Sequence, residues 1–439
     1  MDATVKEAAR KRSNGISRLL PNSLWLLIAL LLTGIALSLR LQQVQIAQRS
    51  PDEYNYMYYA EQTVNSPFEA PRSLVQEYNR DPQKWIYPPP LRIGYYYTLA
   101  AIMGLFHVKA EAAGVELSGV CSSLELIFMV LLGMRYLSRW TVLIAAALLS
   151  VCPPDLFMAH RVWQDGVTGS AGMIFLWLCV KVAESRKAGW WLAALWSYSL
   201  YFLLIKETSA IFYSACLLGV MICAVRREDQ GWRRAGIIAA GGAVTALCSF
   251  VILALLCGGV PAVLAVVRHN SEALSGNVYA TLYQNGPWYS LPLAFWVTSP
   301  LTTAGSFAGL LILCLPGRYR ARYFQLTARQ TSVMRALGVL IVFIIAAATV
   351  PPSFKNLRYV SFILGPWHLM SAFGISSMLT VLARSTGRRM ALALPWIAFA
   401  VIALSCRADY LRYKEVFFNG IPDLNVRQLI DSPFAPRSP

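Results

Sequence analysis

The sequence predicts an all-α polytopic membrane protein with about eleven transmembrane helices and with interfacial helices in a long first outer loop. Three observations predict it. Of 439 residues, 56% are hydrophobic and 14% charged, and mean hydropathy is +0.49, a balance foreign to soluble domains. Uncharged runs such as residues 23–39 and 235–258 match the roughly 20 residues that cross a ~30 Å hydrocarbon core. The basic residues cluster in alternate loops, as the positive-inside rule requires of a multi-pass chain.

In chain order the apolar segments fall near residues 22–40, 115–134, 140–157, 168–182, 189–205, 208–225, 235–257, 301–316, 332–350, 359–383 and 390–405. With Met1 in the cytoplasm, the inner segments hold 22 of the 39 basic residues against five acidic ones, Asp2, Glu7, Glu184, Glu228 and Asp229. The other 17 basic residues are balanced by 17 acidic ones, so the whole formal charge of +17 lies inside. That excess reports orientation and contact with an anionic inner leaflet; it does not argue for nucleic acid. The apolar stretch from Ile93 to Phe106 is short, and counting it as a span would turn the basic loops around Arg320 and Arg388 outward. It reads as an interfacial helix whose Tyr95, Tyr96 and Tyr97 suit the headgroup level.

The organisation that follows is an inner segment 1–21, a membrane domain 22–405 with its outer loop 41–114, and a short outer tail 406–439. The basic flank before residue 22 resembles a signal peptide, but no small-residue cleavage site follows, so the first apolar run reads as a retained span. Nine cysteines without a C-x-x-C predict neither a disulfide framework nor a metal site. His160 has no second histidine at ligand spacing.

The other outer segments are 160–167 (HRVWQDGV), the turn at Lys206 and Glu207, a loop 258–300, and 351–359 (PPSFKNLRY). Ionisable groups near membrane depth are costly unless they are paired or serve a cavity. Asp52 and Glu53, Arg161 and Asp165, Lys206, and Arg358 all stand at outer span ends. One outer cavity gathering them would hold carboxylates for proton abstraction and cations for a phosphate leaving group.

The ordered set resembles the C-type glycosyltransferase superfamily, with the bacterial protein O-mannosyltransferase, aminoarabinose transferase and dolichyl-phosphate-mannose-type families nearest. An Asp-Glu pair follows the first span (Asp52, Glu53), and a Tyr-Pro-Pro element opens the interfacial helix (Tyr87, Pro88, Pro89, Pro90). An Arg-x-x-x-Asp element follows the third span (Arg161, Asp165), Lys206 marks the fifth-to-sixth junction, and Arg358 with Tyr359 opens a late span. The sequence departs from the pattern in carrying Tyr87 where histidine is usual, and Glu125 lies inside the second span with no role in it. The resemblance implies an inverting transfer of a sugar from a polyprenyl-phosphate-linked donor to an extracytoplasmic glycan, lipid or protein, in a bacterial plasma membrane. It makes Asp52 the general base, with Glu53 and Asp165 in support. Lys206 and Arg358 become ligands of the donor phosphate, with Arg161, Tyr359 and Tyr87 lining the substrate. No cofactor is required by this logic, and no metal is indicated, although some relatives use one.

Plainer roles exist for the same residues. Asp52 and Glu53 suit the first turn of a helix, and Asp165 suits an N-cap. Arg161, Lys206 and Arg358 suit snorkelling cations, and the tyrosines at 54–59 and 95–97 suit an interfacial belt. The alternative function is a transporter or a flippase of lipid-linked sugar. Transporters show internal repeats and polar groups near the midplane, whereas here the charges gather at outer span ends and no repeat is visible. A sugar-polymerising enzyme would concentrate Arg and His in one late outer loop, and 258–300 contains only Arg268 and His269.

Overall fold

The computed structural model describes residues 22–42, 49–185, 189–227, 231–324, 326–350, 355–418 and 423–431; the inner segment 1–21 lies outside them. Helix α1 (Asn22–Leu41) is followed by three helices of the first loop, α2 (Pro51–Asn65), α3 (Ala70–Arg80) and α4 (Ile93–Phe106). Then come α5 (Ala110–Tyr136), α6 (Arg139–Ser150), α7 (Pro153–Ala159), α8 (Gln164–Glu184), α9 (Gly189–Ile205), α10 (Ser209–Arg227) and α11 (Gly231–Leu256). The late part holds α12 (Val260–Ser275), α13 (Val278–Tyr283), α14 (Ser290–Thr298), α15 (Pro300–Cys314), α16 (Ala328–Thr349), α17 (Leu364–Ser385), α18 (Arg388–Arg412) and α19 (Val426–Asp431). Among the described residues the β structure is one isolated bridge, Asn356 to Asn425.

All eleven apolar segments are helical, but six helices among the described residues are long and apolar enough to cross a membrane, or up to eight if each bent pair is one span. The predicted third span is one such pair: α6 and α7 meet at 57°. Pro153 and Pro154 lack the N–H groups that would satisfy carbonyls at the end of α6, so the helix breaks there. Two more expectations are corrected. The segment 258–300, read as a loop, is largely the helices α12, α13 and α14. Helix α18 runs past residue 405 to Arg412 and passes into a π-turn at Tyr413–Phe418.

The first loop is packed inward. Tyr95 and Tyr96 are buried with Tyr56 and Tyr59, and the rings of Tyr56 and Tyr95 meet edge-on at 5.0 Å. These four therefore form protein core and are not a headgroup belt, since α2 lies across α4 and removes them from lipid. Helices α5 and α8 form the centre, and α15 lies along α17. Gly305 and Gly309 form a G-x-x-x-G stripe on α15 that faces Gly374 and the Met370 carbonyl of α17, where a Cβ on Gly309 would come within 2.6 Å. Small residues at such spacing let helix backbones touch where lipid supplies no hydrophobic drive.

Two buried polar groups that the sequence left without a role hold this bundle together. Arg40, 1% exposed, ion-pairs with Asp155 on α7. It also donates to Ser122 Oγ on α5 at 2.7 Å and to the Leu149 and Ser150 carbonyls at 2.9 and 3.0 Å. Its fork therefore meets carbonyls at the break after α6, the Leu149 carbonyl accepting the Cys152 N–H as well, while Ser122 donates to Asp155 at 2.9 Å. Glu125 accepts the Gly365 N–H at 2.9 Å, which caps the start of α17 with a side chain from α5.

Arg40→Ala strands the Asp155 carboxylate, and removing one partner of a buried pair costs about 3–5 kcal/mol. We expect a sharp loss of thermal stability in detergent, with part of it recovered in the Arg40→Ala/Asp155→Ala double variant. A double variant less stable than the single one by the full cost of Asp155→Ala alone would show that the two residues act independently.

Candidate active site

Ser50 precedes α2, and Pro51 occupies the first helical position, where its missing N–H costs nothing. The Ser50 N–H donates to Glu53 at 2.7 Å. Glu53 is completely buried and collects three further donors: Arg49 at 2.9 Å, Arg161 at 3.0 Å and the Val162 backbone N–H at 2.9 Å. Trp163 Nε1 donates to Ser50 Oγ at 3.0 Å. The Glu53 carboxylate thus pins the start of α2 onto the 160–163 segment, and it is held by four donors.

Asp52, one residue earlier, turns another way. Its carboxylate lies 2.7 Å from Arg358 Nη2, and its side chain keeps 22% exposure. Arg358 sits on a 3-10 turn, Leu357–Ile363, that leads into α17. Its guanidinium lies over the Trp163 ring at 4.9 Å and the Tyr359 ring at 5.4 Å. On its other side Asp423 approaches Arg358 Nε at 3.6 Å.

Asp165 lies in the first turn of α8, and Trp163, not Asp165, occupies the cap position. Its carboxylate is ion-paired with Lys206, and both side chains are nearly sealed from solvent. Burial pushes the Lys206 pKa below the usual lysine value, against the opposing pull of Asp165, and the nearby Arg92 and Arg358 push it the same way as burial. The ammonium also lies 4.8 Å from the centre of the Tyr359 ring. Beside it Arg92 grips Glu207 with Nε at 3.0 and 3.1 Å from the two carboxylate oxygens, and it bonds the Tyr56 hydroxyl.

The structure therefore brings Asp52, Glu53, Arg161, Asp165, Lys206, Arg358 and Tyr359 into one continuous charged centre. Tyr87 stands apart from it. Its N–H donates to the Lys84 carbonyl at 3.0 Å, and the neighbouring Pro88 carbonyl accepts the Tyr59 hydroxyl at 2.9 Å, so this element braces α2. Snorkelling does not describe Arg161, Lys206 or Arg358, because each is turned inward onto a carboxylate. Arg49, Trp163 and Asp423 belong to the centre without a sequence signal that named them, and Arg92, which the sequence offers with Arg80 and Lys84 as a guide for anionic lipid or as part of a solvated loop, is paired with Glu207 in it. Arg92 carried a signal, being a basic residue two positions after the Pro triplet. Asp423 carried none, since its partner lies far away in the sequence.

Five cations, Arg49, Arg92, Arg161, Lys206 and Arg358, face six carboxylates, Asp52, Glu53, Asp165, Glu207, Asp423 and, at the exposed edge beside Arg49, Glu111. Of the three acids predicted for the site, Glu53 and Asp165 are sealed against their partners, while Asp52, paired with Arg358, keeps 22% exposure. Among the described residues no group of three or more His, Cys, Asp and Glu side chains is placed to hold a metal ion.

Residues 89–255 match the family model described as dolichyl-phosphate-mannose-protein mannosyltransferase, a stretch that includes Arg161, Asp165 and Lys206. Comparison with curated protein sequences gives no significant match. Among solved structures, ArnT from Cupriavidus metallidurans in its apo state is 15% identical over 93% of this chain and 74% of its own, with a TM-score of 0.51. The same protein bound to undecaprenyl phosphate gives a TM-score of 0.56 at 13% identity, covering 93% of this chain and 76% of that one. The oligosaccharyltransferase AglB from Archaeoglobus fulgidus, in complex with an inhibitory peptide and a dolichol-phosphate, gives 0.58 at 11% identity, covering 91% of this chain and 56% of its own. Identities this low speak for the fold. Along more than nine-tenths of its length the chain shares the fold of these polytopic membrane glycosyltransferases, and its residues 89–255 match the mannosyltransferase family model.

Proposed function

We propose that the chain transfers a sugar from a polyprenyl-phosphate-linked donor to a hydroxyl of an extracytoplasmic glycan, lipid or protein, with inversion and with Asp52 as general base. The observation that carries this reading is the contrast among the three carboxylates: Asp52 alone keeps an exposed face while its neighbours are sealed and paired. Asp52 takes the acceptor proton as the acceptor oxygen bonds the anomeric carbon and the bond from that carbon to the phosphate oxygen breaks. The leaving phosphate needs no acid where fixed cations receive its charge. Arg358 offers a planar fork for phosphate oxygens. Lys206 has three donors, of which Asp165 takes one, so it can serve phosphate without leaving its partner. Lipid phosphates are present in the solved ArnT and AglB complexes of the same fold, which supports this class of donor. The excess of basic residues in alternate loops supports a cytoplasmic N-terminus and a centre opening on the opposite side.

Three outcomes test the reading. Asp52→Asn keeps the shape of the side chain and cannot take a proton, so transfer should slow by about 10²- to 10⁴-fold while lipid-phosphate binding persists. Transfer by purified Asp52→Asn at the wild-type rate would move the base elsewhere. Arg358→Ala and Lys206→Ala should each raise the donor KM, and Arg358→Lys should not restore it fully, because an ammonium lacks the fork; a donor KM unchanged in both Ala variants would take them out of the phosphate site. Cysteines placed at Arg320 and Arg388 should resist an impermeant thiol reagent added to intact cells, and one at Glu61, an exposed residue of α2, should react. Labelling at Arg320 from outside would invert the topology.

A further inference from the structure

The charged centre is completed from a distance. Residues 355–357 and 424–426 run side by side, with the Leu357 N–H on the Leu424 carbonyl at 3.0 Å and the Val426 N–H on the Lys355 carbonyl at 3.2 Å. Within this pairing the buried Asn356 acts as a clamp. Its amide oxygen accepts the Arg358 N–H at 3.0 Å, and its nitrogen donates to Asp423 at 3.0 Å and to Asn425 at 2.9 Å. The Asp423 oxygen also receives the Leu424 N–H at 2.7 Å. One amide therefore fixes both the backbone of Arg358 and the carboxylate that faces its side chain.

We propose that Asp423 is a positioning residue that keeps the Arg358 guanidinium available to a lipid phosphate. This rests on the reading of Arg358 as a phosphate ligand. The two carboxylates address different nitrogens, Asp52 at Nη2 and Asp423 at Nε, so one can be exchanged while the other stays. Asp52 is the open partner, with 22% exposure, and Asp423 the enclosed one, with 9%. An arriving phosphate meets the Asp52 side of the fork and displaces Asp52. Asp423, tied by Asn356 and Leu424, remains and holds the guanidinium in register. Without the carboxylate at 423 no acid among the described residues faces Arg358 Nε, and the guanidinium turns toward Asp52 and out of register with an arriving phosphate.

The test is equilibrium binding of undecaprenyl phosphate to the full chain in nanodiscs. Asp423→Asn should weaken binding by about tenfold, the scale of one displaced charge contact, and Asp423→Glu should stay within about threefold of wild type. In an Arg358→Ala background Asp423→Asn should add nothing, since it acts through Arg358. Wild-type affinity in Asp423→Asn, or the same loss with and without Arg358, would overturn the proposal. Arg358→Ala binding as tightly as wild type would instead remove the reading of Arg358 itself. If Asp423→Asn fails to give a cooperative melt, Asn356→Ser, which loosens the same carboxylate, replaces it with the same expected loss and the same overturning result.

Discussion

The docking of Glu53 onto the segment that follows α7 is the constraint on which the charged centre depends. A carboxylate taken fully out of water is tolerable only when its lone pairs are met, and here four donors from two parts of the chain meet them. Because Glu53 is fixed, α2 has a single rotation about its axis, and the adjacent Asp52 has a single direction. Because Arg161 and Val162 are fixed by the same group, Trp163 is set beneath Arg358 and the first turn of α8 brings Asp165 to Lys206. A flexible outer loop could not hold such an arrangement. The helices of the first loop are held in place because Tyr56, Tyr59, Tyr78, Tyr95 and Tyr96 are core residues and Glu53 anchors the start of α2.

Much of this was legible in the sequence, and the limits of legibility have physical causes. Each apolar run fell on helix, since the length of a lipid-facing helix is written in composition, although six helices among the described residues, or up to eight with the bent pairs joined, are long and apolar enough to cross a membrane. The charge pairs Asp52/Glu53, Arg161/Asp165 and Lys206 were found because charge at span ends is rare and costly. Helix length in three dimensions was less accessible, since proline breaks such as Pro153–Pro154 divide a run that reads as continuous. Partners were least accessible of all. Nothing local distinguishes Arg40 as an interior residue from a cation at a span end, and nothing local joins Asp423 to Arg358. That Tyr56, Tyr59, Tyr95 and Tyr96 lie in the core and not in an interfacial belt was hidden for a related reason: aromatic composition at an interface and in a core is the same, and only the placement of α2 over α4 separates them.

The bundle below the centre solves a different problem with the same means. Where α15 and α17 approach, glycine removes side chains and the backbones touch. Where backbones part, at the break between α6 and α7 and at the start of α17, long side chains from other helices reach in. Arg40 answers exposed carbonyls and Glu125 answers an exposed N–H. Helix termini inside a bundle have no water to turn to, so charged side chains serve as detachable pieces of backbone hydrogen bonding. That explains why ionisable residues sit deep in the protein without any contact with the charged centre.

The pairing of residues 355–357 with 424–426 also sets an order on biosynthesis. A chain that folds as it emerges can form the Glu53 and Arg161 contacts as soon as α7 has left the ribosome, and the Asp165 and Lys206 pair shortly afterwards. Arg358 arrives late, and the carboxylate that steadies it arrives later still, after the last long helix has been inserted. Until Arg358 is made, Asp52 lacks the cation with which it pairs. A nascent chain can therefore assemble most of its bundle, and most of its ion pairs, before Arg358 has both of the carboxylates that flank it.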